Sequence, residues 1–259
     1  MIRTSDEGNA RGSDPVLEVD GVSKYFERVR AVREVSLSIR PGECLGLVGD
    51  NGAGKTTLIR ILSGQLAPDI GEVRVRGIPM ADWSVITARR EGITTVAQDL
   101  DLCDELDVPS NVFLNSEMHK WRVGPIGWVD RESMVDETNR LLQEIGASVP
   151  NTSTRVERLS GGQRQAIAIA RALRGRPQLV LMDEPTAALG VRQATTTLAG
   201  IRRMIDKGIG VVFISHNLDQ VLGVCDRLVA MFQGKVTLDE PVASLPRERI
   251  HAAMMGRGE

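Results

Sequence analysis

No stretch of this 259-residue chain approaches the roughly 18 consecutive apolar residues that a membrane-spanning helix needs. The longest apolar stretches, residues 179–182 and 208–214, are the length of buried strands. The opening residues, MIRTSDEGNARGSDP, lack the apolar centre of a secretory signal and read as a disordered leader over residues 1–15. An excess of charge of one sign is also missing. Thirty-two basic residues against 34 acidic ones leave a formal charge of −2, so nothing general attracts a nucleic acid, and no nucleic-acid partner is expected. Cysteine is scarce: Cys44, Cys103 and Cys225 are far apart, form no CxxC pair and cannot all pair with one another. They read as small buried hydrophobes of a reducing compartment and not as a disulfide or zinc framework. The three histidines show no ligand spacing.

Two kinds of hydrophobic pattern organise what is present. Residues 16–19 and 35–39 alternate apolar and polar, as half-buried antiparallel strands do. Residues 44–48 are almost all apolar, as befits a strand covered on both faces. Helical spacing follows over 55–62, and 73–76 returns as a strand that Gly77 closes. From about residue 100 to 176 the character is mainly helical, with helices expected over 131–145 and 163–173. Strands then return at 179–182, 211–214 and 228–232. This β-α alternation, interrupted by a helical block, predicts an α/β fold with a parallel-sheet core, an antiparallel β subdomain at the N-terminal side and an inserted helical subdomain. The expected boundaries are 16–98 and 177–259 for the core and 99–176 for the insert, within one domain over 16–259. No internal repeat is visible, so a tandem arrangement within the chain is not expected.

Residues 49–56, GDNGAGKT, fit GxxxxGK[ST] and lie between an apolar strand and a helix, where the motif makes physical sense. Gly49, Gly52 and Gly54 let backbone amides turn toward phosphate oxygens with no Cβ in the way. The helix beginning near Lys55 adds its positive dipole end. Lys55 is suited to the β and γ phosphates, and the Thr56 hydroxyl to Mg²⁺. The alternative is a glycine turn with a chance lysine. Residues 179–184, LVLMDE, deliver two carboxylates at the end of an apolar strand. Alone, such a run is a strand leaving the core. Beside a phosphate loop, Asp183 reads as the holder of the Mg²⁺ water shell and Glu184 as the base that polarises the attacking water.

Residues 159–163 read LSGGQ, and with this motif the chain resembles the ABC ATPases over nearly all of residues 16–232. The resemblance implies a P-loop NTPase (RecA-like) core, ATP as substrate and Mg²⁺ as its ion. It makes Asp50, Asn51, Ala53 and Thr57 further parts of the ATP site. It also implies that Ser160, Gly161, Gly162 and Gln163 of one chain meet the γ-phosphate held by a second ATPase subunit, a homodimer being expected. A serine-glycine helix cap with no ligand is the plain reading of the same residues. Gln98 matches the glutamine that reaches Mg²⁺ and water, and His216, after residues 211–215, matches the histidine that contacts the γ-phosphate. Phe26 stands where an aromatic stacks on adenine, with Tyr25 as its competitor.

One position departs from the family pattern. Gly190 stands where an aspartate is usual, in the loop that crosses between subunits, which puts the usual hydrogen bonds there in doubt. The variant TAALGVRQ, residues 186–193, resembles the ATPases of ribose, xylose and fructose importers. That implies a membrane permease docking on residues 99–115, a solute-binding protein acting through the permease, and a peripheral place on the cytoplasmic face of the membrane. An exporter, an importer of another solute and a soluble ABC protein of DNA repair or translation remain as alternatives.

Overall fold

A computed structural model describes residues 14–123 and 126–257. All but two residues of the expected leader therefore lie outside the described residues. In chain order the strands and helices are β1 (Leu17–Phe26), β2 (Val29–Ile39), β3 (Cys44–Val48), α1 (Lys55–Leu62), β4 (Ile70–Val75), β5 (Ile78–Pro79), α2 (Val85–Arg90), β6 (Ile93–Val96), α3 (Val108–Val112), β7 (His119–Val123), β8 (Ile126–Val129) and α4 (Arg131–Glu144). They continue as α5 (Gly161–Leu173), β9 (Leu179–Asp183), α6 (Val191–Asp206), β10 (Gly210–Ile214), α7 (Leu218–Val224), β11 (Arg227–Phe232), β12 (Lys235–Pro241) and α8 (Arg247–Met254).

The large sheet has the order β12-β11-β3-β10-β9-β6. Its five strands from β11 to β6 are parallel, and β12 turns back antiparallel on the edge. The apolar runs are explained by burial on both faces. In β3, Cys44 and Val48 face one core while Leu45 and Leu47 face the other, and β9 and β10 divide their residues the same way. One core lies toward α1 and a smaller antiparallel sheet of order β2-β1-β4-β5. The other lies toward α4, α5 and α6.

The expected α/β fold with an antiparallel β subdomain is present, and the differences are local. β1 and β2 run well past the alternating residues, because register shifts between Val19 and Val22 break the period that marks a strand. The expected helical block also carries an antiparallel hairpin, β7 and β8, in which Trp121 stands opposite Trp128. Within that block α5 is the bridge to the sheet: Ile167 and Ile169 share a core with Val180 and Met182 of β9 and with Val108 and Leu141.

Candidate functional site

Parallel pairing sets the strand ends level. Leu47 pairs with Ile214, Ile214 with Asp183, and Met182 with Val96. The residues that follow β3, β9, β10 and β6 therefore emerge along one edge of the sheet, and these include the glycine loop, Glu184, His216 and Gln98. Such an edge is where open α/β sheets place ligands.

The loop after β3 needs its glycines. Gly49 and Gly54 have φ of 149° and 103°, and a Cβ on either would come within 2.4 Å of a backbone oxygen, of Met231 and of Ala31 respectively. Gly52 has φ of 81° with open space where a side chain would be. The turn between β11 and β12 braces the loop, Gly234 donating its amide to the Ala53 carbonyl at 2.9 Å. Gly54 caps α1 without any side-chain hydrogen bond, which leaves the first-turn amides available to an anion. Ala53 is buried; Asp50, Asn51 and Thr56 are exposed, and Thr57 is partly so.

Lys55 is 7% exposed and donates to the carbonyls of Gly49 at 2.6 Å and Asp50 at 3.1 Å. Burial lowers its pKa, and the charges of Glu184, Asp183 and Asp50 oppose that shift. Asp183 moves the other way: burial, then the neighbouring Glu184, raise its pKa, and Lys55 only partly offsets them. A carboxyl whose folded pKa lies above its unfolded one favours folding below the unfolded value and loses that contribution as pH rises through the folded value. Asp183→Asn is therefore expected to raise the melting temperature of the ligand-free protein at neutral pH. The gain should shrink as pH falls through the raised folded value of Asp183 toward the ordinary aspartate value, and be absent below it. A neutral-pH melting temperature equal to or below that of the wild type would contradict this balance.

Glu184 sits at φ 50°, a left-handed conformation that non-glycine residues seldom adopt. Its amide donates to the Ile214 carbonyl at 3.1 Å, and its own carbonyl accepts from Ala187 at 3.2 Å. These contacts turn the side chain toward β10, where its carboxylate meets His216 Nε2. His216 is half exposed, and a cavity of about 310 Å³ between it and the glycine loop is lined by Gly49, Asp50, Asn51, His216 and Met254.

Sequence reasoning missed one residue here. The Gln220 side-chain oxygen accepts from Thr186 Oγ1 at 2.6 Å and from Ser215 Oγ at 3.3 Å, tying the segment after Glu184 to the segment before His216. The signal available was its place one helical turn past His216.

The remaining expected residues fall in two groups. Gln98 is exposed, two residues beyond Val96 and so on the catalytic side of β6. Phe26 is 44% exposed at the tip of the β1–β2 hairpin, whereas Tyr25 is partly covered, with the Arg30 guanidinium 5.3 Å above its ring. Phe26 is thus the free ring, on the hairpin whose Ala31 abuts Gly54. Ser160, by contrast, caps α5 in a reciprocal box with Gln163: its amide donates to Gln163 Oε1 at 2.9 Å and its Oγ accepts from the Gln163 amide at 3.4 Å. The cleft beside it, lined by Ser160, Gly162, Gln163 and Gln193, shares no residue with the cavity over the glycine loop. Gly161 completes the start of α5 and approaches Leu189.

The doubt over Gly190 has a local answer. Gly190 begins α6 at φ −66°, and its amide donates to Gln193 Oε1 at 3.2 Å, so Gln193 supplies the half of the cap that survives without a side chain. Among the described residues a Cβ there meets only Gln193 Oε1, at 3.7 Å. Gly190→Asp is expected to fit and to add a few tenths of a kcal/mol by capping, seen in denaturant unfolding. A loss of stability above about 1 kcal/mol would show that this turn is held by something else.

The comparisons with known proteins agree with this geometry. The family model described as ABC transporter matches residues 32–187. The xylose import ATP-binding protein XylG of Burkholderia cenocepacia is 37% identical over 95% of the chain, and the chain spans about half of that relative, 47% of its length. The xylose/arabinose import ATP-binding protein XylG of Sulfolobus acidocaldarius is 41% identical over 85% of the chain and 86% of its own length. The fructose import ATP-binding protein FrcA of Rhizobium meliloti is 41% identical over 83% and 84%. Among solved structures, a nucleotide-free ATP-binding cassette from an ABC transporter superposes with a TM-score of 0.77 at 28% identity, covering 90% of the chain and 96% of that structure. With the family's model spanning the glycine loop, the LSGGQ segment and both carboxylates, the chain belongs to the ABC transporter family, as one of its ATP-binding cassettes.

Proposed function

We propose that this chain hydrolyses ATP to energise the import of a monosaccharide through a separate membrane permease, working as one half of a two-cassette ATPase. The observation that carries the reading is the convergence of Lys55, Asp183, Glu184 and His216 at one sheet edge beside a glycine loop. In this reading the loop amides from Gly49 to Thr57 and the Lys55 ammonium hold the phosphates, and Phe26 stacks on adenine. Glu184 accepts the proton of the attacking water, and His216 contacts the γ-phosphate.

The site suits a divalent cation, since two adjacent carboxylates share a half-buried position where one is already pushed toward its neutral form. Thr56, Asp183 and Gln98 are the groups that would hold Mg²⁺, which supplies charge neutralisation along the phosphates. The separation of the Ser160 cleft from the phosphate-loop cavity supports a site completed by a second chain, whose own Ser160, Gly161, Gly162 and Gln163 face the nucleotide. Residues 99–176 serve as the helical subdomain, and residues 99–115 as the permease contact. That contact holds the chain at the cytoplasmic face of the membrane, with a solute-binding protein acting through the permease.

Sugar as the solute is supported by relatives whose names specify xylose, arabinose and fructose import, and by the TAALGVRQ segment. The test is uptake of a panel of labelled pentoses and hexoses in a strain lacking this gene and its close paralogues. Uptake of one or a few sugars should be lost, return with the wild-type chain, and fail to return with Glu184→Gln. Normal uptake across the panel would remove the sugar assignment.

A further inference from the structure

Two of the three cysteines, 181 positions apart in the chain, lie side by side. Cys44 opens β3 and Cys225 follows α7; both are buried and free, and the Cys44 thiol donates to the Cys225 sulfur across 3.5 Å. The approach is fixed by the backbone. The Cys44 amide donates to the Asp226 carboxylate at 2.9 Å, and the Asp226 amide donates to the Cys44 carbonyl at 2.8 Å. One residue further on, Arg227 stands opposite Leu45 in the β11–β3 ladder. Position 46 is also part of the arrangement. A Cβ there would lie 2.5 Å from Val221 and 3.1 Å from the Cys225 sulfur, so the bare glycine is what lets the end of α7 settle on the strand beside Cys44.

We propose that Cys44 and Cys225 form an oxidation site, a buried dithiol that a small peroxide converts reversibly to an intramolecular disulfide. The sulfurs need only close from 3.5 Å to the ~2.05 Å of a disulfide. Cys44 is fully covered and Cys225 retains 6% exposure, so Cys225 is the thiol a solute meets first. Its thiolate attacks one peroxide oxygen, the O–O bond breaks, and the sulfur becomes a sulfenic acid while hydroxide leaves and takes up the thiol proton as water. The Cys44 sulfur then attacks the sulfenic sulfur, the S–O bond breaks, and the Cys44 proton departs with the oxygen as a second water. Two thiols have lost two electrons and two protons, and the peroxide has been reduced to two waters. Added dithiol reverses the bond. The hydrogen bond with Cys44, then burial, push the Cys225 thiol well above its ordinary range, so its thiolate is scarce and its reaction with peroxide is slow.

The bond would join the strand that feeds the glycine loop to the helix that follows His216, and it would close a loop of most of the chain. A cross-link over so long a loop restricts the unfolded chain. Cys44 opens β3, whereas the glycine loop, Glu184 and His216 follow the opposite ends of the parallel strands, so the oxidised protein should melt at higher temperature and bind nucleotide as before. This inference stands whether or not the transported solute is a sugar.

The test uses folded full-length chain carrying Cys103→Ser, treated with hydrogen peroxide, quenched, then unfolded in iodoacetamide and weighed intact. The expected product is lighter by two hydrogens, takes no alkyl group, takes two after dithiothreitol, and yields one cross-linked peptide containing Cys44 and Cys225. Wild-type chain handled the same way should keep one alkylation, at Cys103, which covers any misfolding of the variant. Two alkylations after peroxide, two oxygens added at Cys225 without a link, or a link between chains would each overturn the proposal.

Discussion

ATP hydrolysis is expected to fall by at least about a hundredfold when Glu184 becomes glutamine, while ATP remains bound. The substitution keeps the size of the side chain and the backbone contacts of Glu184 with Ile214 and Ala187, which do not depend on the carboxylate. What it removes is a carboxylate, 13% exposed, beside His216 and next to the half-buried Asp183. Single-turnover hydrolysis separates this loss from any change in binding. The variant should accumulate as an ATP-loaded pair of chains, visible as a doubled mass in size-exclusion chromatography with ATP. The same change relieves the repulsion that raises the pKa of Asp183, so the ligand-free protein should not be destabilised. Hydrolysis within a few fold of the wild type would remove Glu184 from the role of base.

Lys55→Ala is expected to act earlier, on binding. The Lys55 ammonium holds the Gly49 and Asp50 carbonyls and faces Glu184, Asp183 and Asp50. Without it, carbonyl oxygens and carboxylates of the same polarity line the space where phosphate must enter. Loss of a charge-assisted contact of about 1.5–3 kcal/mol corresponds to ATP affinity weaker by roughly ten- to a hundredfold. Titration calorimetry against ATP, with circular dichroism to establish the fold, measures it. Unchanged affinity would mean that the loop after β3 is not the phosphate site. The two variants together distinguish holding the nucleotide from cleaving it.

The central strands were legible because each is covered on both faces, so β3, β9 and β10 stand out as unbroken apolar runs. The ends of β1 and β2 were not, since bulges shift the period that alternation relies on. The β7–β8 hairpin was hidden by its setting. Its strands are short and partly charged, and they lie between helical segments, although the facing tryptophans are residues that favour strands. In the site, residues that announce themselves by chemistry in a motif, such as Lys55, Asp183 and His216, could be named in advance. What a one-dimensional pattern does not carry is side-chain reach. The double acceptance at Gln220, the left-handed turn at Glu184 and the Gln193 cap over Gly190 are all three-dimensional facts.

The order of strands in the large sheet has a consequence for how the protein comes into being. β3, which leads into the glycine loop, is flanked by β10 and β11, so both of its neighbours are synthesised long after it. At roughly 5–20 residues per second, the nascent strand waits on the order of ten seconds with two unsatisfied edges. Its five residues are all buried in the finished molecule, so for that interval they form an apolar segment with nothing to pair against. A ribosome-bound chain halted before residue 210 should hold no ATP, and it should be a substrate for chaperones that recognise exposed hydrophobic strands. Nucleotide capture thereby reports the arrival of β10, since a chain that ends before residue 210 lacks the His216 wall of the cavity.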